Sequence, residues 1–378
     1  MKVVLFISAL LIFLTANYYV ALRLYQLIPE NTIVRIAFIT IITICAGSLF
    51  VFFPLYESLS FTIGGLLYRI GTAWIIAFGY FFLLFVIIDL LKLSNNFFHF
   101  MDKDLVQTWT QHNYKSFFTV IGAVVILLFI GNINYHKKRR VHHNIETTKL
   151  SLEKERIRVV GISDLHLGYT IGGKELKQWI EIINSEKPDI VLIGGDLIDN
   201  NTDIVFEMGL DKVMKNINAP LGVYACLGNH EYISGKQESI RFYEASNITL
   251  LKDTFFNVTD YITLIGRDDV SNKNRKPLKS VMNGVDENQF KLLLDHQPSN
   301  LNDAEEAKID LQFSGHTHNG QVFPFSLIAE SMFENPHGII KKGLTSIYVS
   351  SGLGIWGGKF RIGTQSEYVV FDLIHKQK

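Results

Sequence analysis

Two kinds of hydrophobic pattern divide the chain. Up to about residue 134, apolar side chains run almost unbroken in four stretches, at 3–24, 33–55, 70–91 and 116–134. Each approaches the roughly 20 residues that a helix needs to cross a bilayer core, so the pattern predicts four membrane helices. A shorter apolar piece at 59–67 reads as either an extension of the third helix or a re-entrant segment. The first stretch follows one basic residue, as a signal peptide would, but it ends without a small-x-small cleavage site and further apolar stretches come after it. A retained helix is expected.

From about Arg156 the period changes. Short β-branched runs at 157–163, 190–193 and 222–227 alternate with amphipathic stretches at 174–186 and 203–216, a βαβαβ opening that implies a layered α/β domain. Further strands are expected at 263–266, 291–294, 309–313, 346–350 and 368–372. The organisation this predicts is an all-α transmembrane domain over 1–136, a basic juxtamembrane linker over 137–154, and an α/β domain over 155–378.

Charge sharpens the division. The 36 basic and 36 acidic side chains cancel overall, but 12 and 6 of them fall in the first 150 positions, leaving that part at +6 and the remainder at −6. An acidic soluble domain lacks the Lys/Arg surface on which nucleic-acid binding rests, and no nucleic-acid partner is expected. Lys137, Lys138, Arg139 and Arg140 cluster where the fourth helix ends, and the positive-inside rule puts that boundary and the soluble domain on the cytoplasmic side. Lys2 and Arg69 agree; Arg23, Arg35, Lys92, Lys103 and Lys115 fall in the opposite loops. Asp89, near the end of the third stretch, reads as interfacial rather than as part of an ion path, since no second buried charge accompanies it in the pattern. The two cysteines, Cys45 and Cys226, read as core residues and provide neither a disulfide framework nor a thiolate zinc site.

The chemistry stands at strand ends. The first three strands finish in Asp164-Leu-His166, Gly194-Gly195-Asp196-Leu-Ile-Asp199 and Gly228-Asn229-His230-Glu231, and later ones in Asp295-His296 and Gly315-His316-Thr-His318. In open α/β sheets the carboxyl ends of the strands form the ligand crevice. Five of the twelve histidines occupy these positions, while His142, His143, His337 and His375 lack such a context. Carboxylate, imidazole and carboxamide donors without thiolate suit Mn²⁺, Fe or Zn²⁺. Seven candidates, Asp164, His166, Asp196, Asn229, His296, His316 and His318, are too many for one transition-metal ion and fit two ions sharing a carboxylate. No Gly-x-Ser-x-Gly or Cys–His arrangement competes as a nucleophile.

Together these five blocks resemble those of the calcineurin-like metallophosphoesterases, over about residues 155–373. The run from Gly315 to Gln321, with Ser350-Ser-Gly-Leu-Gly354, is similar to the bacterial, membrane-associated branch related to lipid-A-precursor pyrophosphatases, although Asn319 and Ser351 stand where that branch often has glycine and a basic residue. The resemblance implies two packed mixed β-sheets flanked by helices, and two divalent ions with Mn²⁺ foremost. It implies that Asp164, His166 and His318 hold one ion, that Asn229, His296 and His316 hold the other, and that Asp196 bridges them. It assigns His230 to the phosphate and leaving group rather than to a metal. The α/β periodicity alone fits a single doubly wound sheet equally well.

The function expected is metal-dependent hydrolysis of a phosphoester or pyrophosphate bond, on a lipid or lipid-linked substrate because the domain is held beside a bilayer. A catalytically silent metal-binding sensor or scaffold, and a transporter with a hydrolase appendage, are the competing classes. The ligand set with His230 argues against the first, and the scarcity of intramembrane charge against the second. The apolar stretch 323–333 is either core or a rim that meets lipid or an acyl substrate.

Overall fold

The computed structural model describes residues 2–56, 58–150 and 156–376. It divides into two compact units, Met1–Ile130 and Gly131–Lys378. The first is built from α1 (Lys2–Leu27), α2 (Thr32–Leu55), α3 (Phe61–Phe98), the short α4 (Lys103–Thr110) and most of α5 (Tyr114–His136). Four of these are long and apolar enough to cross a membrane. Residues 61–67 extend the third helix, whose 38 residues at 1.5 Å each span about 57 Å and exceed the hydrocarbon thickness. Asn31 and Ser60 cap α2 and α3 by accepting from the N–H groups of Val34 and Ile63. Val20, Leu24, Trp74, Phe81, Phe85 and Val124 form the interior, while Ile12, Ile33 and Phe97 face outward, the inversion expected in lipid.

Asp89 has a charged companion that the sequence pattern did not show. Arg23 of α1 donates to its Oδ2 at 2.5 Å, and the Tyr19 hydroxyl reaches the same oxygen. The partner lies 66 residues away and was counted among the loop charges, so the pairing left no local trace in the sequence.

Among the described residues the second unit holds twelve strands: β1 (Lys138–Thr147), β2 (Arg156–Ile162), β3 (Ile190–Ile193), β4 (Val223–Ala225), β5 (Thr249–Leu250), β6 (Thr254–Thr259), β7 (Ile262–Gly266), β8 (Phe290–Leu294), β9 (Leu311–Ser314), β10 (Gly338–Lys342), β11 (Thr345–Val349) and β12 (Ser366–His375). They form two mixed six-stranded sheets, ordered β1-β12-β2-β3-β4-β5 and β10-β11-β9-β8-β7-β6. In the first, β2 to β5 run parallel and β12 is antiparallel to β2; in the second, β7, β8, β9 and β11 run parallel between antiparallel edges.

Alternation along each strand builds the layers. Val159, Leu192, Phe371, Leu292, Leu294 and Phe313 meet between the sheets. Their neighbours Val160, Ile193 and Val370 turn outward against Leu176, Trp179 and Ile183 of α6 (Gly173–Ser185), against α7 (Thr202–Glu207) and α8 (Leu210–Met214), and against Phe242 and Tyr243. The fold is thus the two-sheet arrangement, not the single doubly wound sheet. Residues 203–216, expected as one helix, break into α7 and α8 at Gly209, whose φ of 63° lies in the left-handed region open to glycine.

The expected linker differs most. Residues 151–154 of it, and the domain's first residue 155, lie outside the described residues, but Lys138–Thr147 is a full edge strand, paired in parallel with all of β12. Val141 and Ile145 alternate inward onto the inter-sheet core, and the His143 ring stacks on Phe371 at 6.1 Å. The basic cluster also takes folded roles: Arg140 binds Glu186 at 2.7 Å, and Lys138 Nζ lies 3.7 Å from the centroid of the Tyr135 ring.

Candidate metal centre

Because β2, β3 and β4 are parallel, and β8 and β9 likewise, their carboxyl ends deliver five loops to one place. The apolar strands are short, so the polar residues that follow leave the sheet at once. Five of these, Asp164, His166, Asp196, His316 and His318, have φ between 48° and 72°, a conformation costly for side chains other than glycine. Local preference does not produce five such residues at one site; tertiary packing holds them there. Gly228 and Gly315 permit the closeness, since a Cβ on either would collide with a carboxylate oxygen, of Asp196 and Asp164 respectively.

All seven candidate ligands come together. Asp164, His166 and His318 form one group whose donor atoms converge, and Asp196, His296 and His316 another. His166 Nε2 and His318 Nε2 face one another at 3.0 Å, so at least one carries no proton. His318 Nε2 is 3.5 Å from Asp164 Oδ1. In the second group Asn229 Oδ1 lies 3.2 Å from His296 Nε2 and 2.8 Å from His316 Nδ1. Asp196 Oδ2 stands between the groups, 3.2 Å from His296 Nε2 and 3.8 Å from His166 Nε2.

Electrostatics agree with a donor set for cations. Burial holds His318 well below the usual histidine range, with His166 and Arg361 adding to the effect; burial likewise takes His316 to about 4, helped by His296. Both imidazoles are therefore neutral with a lone pair to offer. Burial raises Asp164, whereas Asp196 lies well below the carboxylate range because the neighbouring histidines, His296 first, outweigh its burial. His296 goes the other way: burial opposes its charge, but the adjoining Asp196 raises it well above the usual histidine range. The buried carboxylates with the neutral imidazoles of His316 and His318 fit divalent ions.

The calcineurin-like phosphoesterase model matches residues 157–320, the span containing all these loops. An uncharacterised metallophosphoesterase of Helicobacter pylori strain J99 is 32% identical over 62% of this chain and 65% of its own length, so the chain spans about two thirds of that relative. One from Aquifex aeolicus is 30% identical over 65% of this chain and 95% of its own length. The chain belongs to the calcineurin-like metallophosphoesterase family. A transmembrane protein with metallophosphoesterase domain from Danio rerio is 30% identical over 68% of this chain and 63% of its own length, and the four long apolar helices make this metallophosphoesterase a membrane protein as well.

Three further residues shape the metallophosphoesterase site without having been assigned a role from the sequence. Glu231, fully buried, accepts from the backbone N–H groups of Asp196, Leu197, Ile198 and Gly228 at 2.6–3.1 Å, fixing two ligand loops together. Asp199 Oδ1 lies 3.4 Å from His166 Nδ1 and 3.3 Å from His230 Nδ1, and its carbonyl oxygen is 2.8 Å from the latter. This leaves Nε2 as the working nitrogen of His230. That ring is pushed up to about 9: burial opposes the charge, but Asp199 and Asp196 outweigh it. Arg361 is fully buried and donates to the carbonyl oxygens of His318, Ser351 and Gly354. The position of Glu231 and Asp199 inside the motif blocks was the available signal; nothing local marks Arg361. His337, by contrast, pairs with Glu367 at 3.0 Å and belongs to none of the three converging donor groups found among the described residues.

Proposed function

We propose that this protein is a membrane-anchored phosphoesterase with a dinuclear metal centre, hydrolysing a phosphoester or pyrophosphate bond on a lipid or lipid-linked substrate at the cytoplasmic face. The observation that carries the reading is the convergence of two donor groups on either side of one carboxylate, Asp196. Asp164, His166 and His318 would hold the first ion and Asn229, His296 and His316 the second, with Asp196 as the carboxylate they would share. Mn²⁺ suits this oxygen-and-imidazole set first, ahead of Fe or Zn²⁺. When bound, such a pair polarises a phosphoryl group and lowers the pKa of water from 15.7 towards ~7.

The chain's own residues supply the rest. Glu231 and Arg361 hold the ligand loops rigid, so little reorganisation is needed as charge develops. His230, oriented through Nδ1 by Asp199, presents Nε2 to the phosphoryl oxygens and delivers a proton to the leaving group. The lipid assignment follows from tethering, because substrates held in the bilayer meet a tethered site at high effective concentration.

Purified full-length protein loaded with Mn²⁺ should contain two ions per chain and hydrolyse an aryl phosphodiester, then show a preference within a panel of lipid phosphates and nucleotide-lipid pyrophosphates. Asp196→Asn should abolish turnover and lower metal content more than Asp164→Asn does. Two ions with no turnover on any substrate would favour the silent sensor or scaffold; two ions with full turnover in Asp196→Asn would refute the bridging role.

A further inference from the structure

The stretch 323–333 does not enter the core. Residues Phe325–Met332 form an eight-residue helix, within which Ala329 alone is buried, while Phe323, Phe325, Leu327, Ile328 and Met332 are each between 49% and 70% exposed. Five such side chains gathered on one short segment mark an interaction face. Glu330 is the helix's one charged residue, so the face offers no electrostatic handle to a charged partner.

The neighbourhood identifies what covers it. Phe323 N–H donates to the Ile362 carbonyl at 2.7 Å, and Val322 bridges to Ile362. The loop bearing Ile362 is in turn fastened to the last turn of α5. Arg361 N–H donates to Gly131 O at 2.9 Å, Asn132 Nδ2 to Lys359 O at 2.9 Å, and Asn134 Nδ2 to Arg361 O and Thr364 O. Ile362 packs so close to Gly131 that a Cβ there would lie 2.6 Å from its Cγ1. Those residues close a helix that is long and apolar enough to be a membrane span, Tyr114–His136. The apolar helix therefore adjoins the point where the chain leaves the bilayer. Both ends adjoin the chemistry: at the C-terminal end the Phe333 ring lies 6.0 Å from that of His316, and four residues separate the N-terminus from the His318–Gly320 turn.

We infer that Phe325–Met332, with Phe323, is an interfacial helix that inserts its apolar face among the acyl chains beside the α5 exit and sets the metal centre at headgroup depth. Short amphipathic helices bind in this way through buried apolar area. The inference rests on the membrane reading of the four helices and not on the hydrolytic one, and its test needs no turnover, so either reading can fail alone.

Full-length protein in a Cys45→Ala background, spin-labelled at Ile328→Cys or Met332→Cys, is reconstituted into phosphatidylcholine nanodiscs, with Lys279→Cys as a water-facing reference. Power saturation should show labels at 328 and 332 colliding several-fold more with oxygen than with a water-soluble nickel chelate, and the reverse at 279. Adding Leu327→Asp should abolish that preference at 332. Nickel access at 328 and 332 equal to that at 279 would overturn the inference, as would dipolar coupling between copies, which would make the face a protein–protein interface.

Discussion

His230 follows Asn229 in the chain, yet the two side chains serve different neighbours. The Asn229 carboxamide oxygen lies among His296 and His316, whereas the His230 ring is held through Nδ1 by Asp199. A residue that delivers a proton but binds no ion should separate turnover from metal content. His230→Ala is expected to keep two ions and a normal fold while losing about 10²–10⁴ in rate on substrates with poor leaving groups, with a smaller loss on an aryl ester whose leaving oxygen needs little protonation. The competing geometry is explicit, because His166, Asp199 and His230 also converge as a three-donor group; loss of an ion in the mutant would make His230 a ligand. At this scale the seven candidate donors were legible because each sits within four residues of a strand end, a local pattern. Arg361 was not, since its nearest site partner, His318, is 43 residues away and an isolated arginine carries no spacing. The roles of Glu231 and Asp199 escaped for the same reason: their identity is local, but the N–H groups and imidazoles they serve belong to other loops.

Strands with continuous β-branched runs, such as β2 and β3, announced themselves. β1 did not, because its sequence is a basic run with Val141 and Ile145 as its apolar inward positions, and an edge strand needs only one half-buried face. What fixes its neighbourhood is polar. Asp372 of β12 accepts from Arg158 Nε and Nη2 at 2.8 and 3.0 Å and meets His142 of β1 at 2.9 Å. The hydrogen bonds from Arg158, foremost, overcome burial and take Asp372 down to about 2. A carboxylate depressed in the folded state adds stability that is fully present above its unfolded pKa, near 4, and is lost as pH falls towards 2. The shift corresponds to about 2 kcal/mol. Asp372→Asn should therefore lower the melting temperature at pH 7, and the gap to the parent protein should close progressively as the pH is lowered from 4; a gap that stays constant would assign the effect to packing instead.

For the whole molecule, hydrophobic period identified a membrane block and an α/β block, but could not tell two packed sheets from one, because inward and outward alternation looks the same whichever layer receives the inward side chains. Orientation is a different kind of whole-chain property. Lys138 and Arg140 end up engaged with Tyr135 and Glu186, which at first weakens Lys137, Lys138, Arg139 and Arg140 as a topological signal. Yet that signal is read during insertion, when α5 has entered the bilayer and β12, the partner of β1, has still to be made more than 200 residues later in the chain. At that moment the four charges are free, adjacent to the end of the span, and cost most to translocate. The opposing charges are spread singly around two loops, Arg23 and Arg35 at one and Lys92, Lys103 and Lys115 at the other, rather than clustered at one boundary. The C-terminal unit is therefore expected in the cytoplasm. A fluorescent reporter that matures only inside the cell, fused after Lys378 of the full chain, should be bright, and alkaline phosphatase at the same site should be inactive. Strong phosphatase activity would place the metal centre outside, and neutralising Lys137 to Arg140 together should move the balance in that direction if these charges set it.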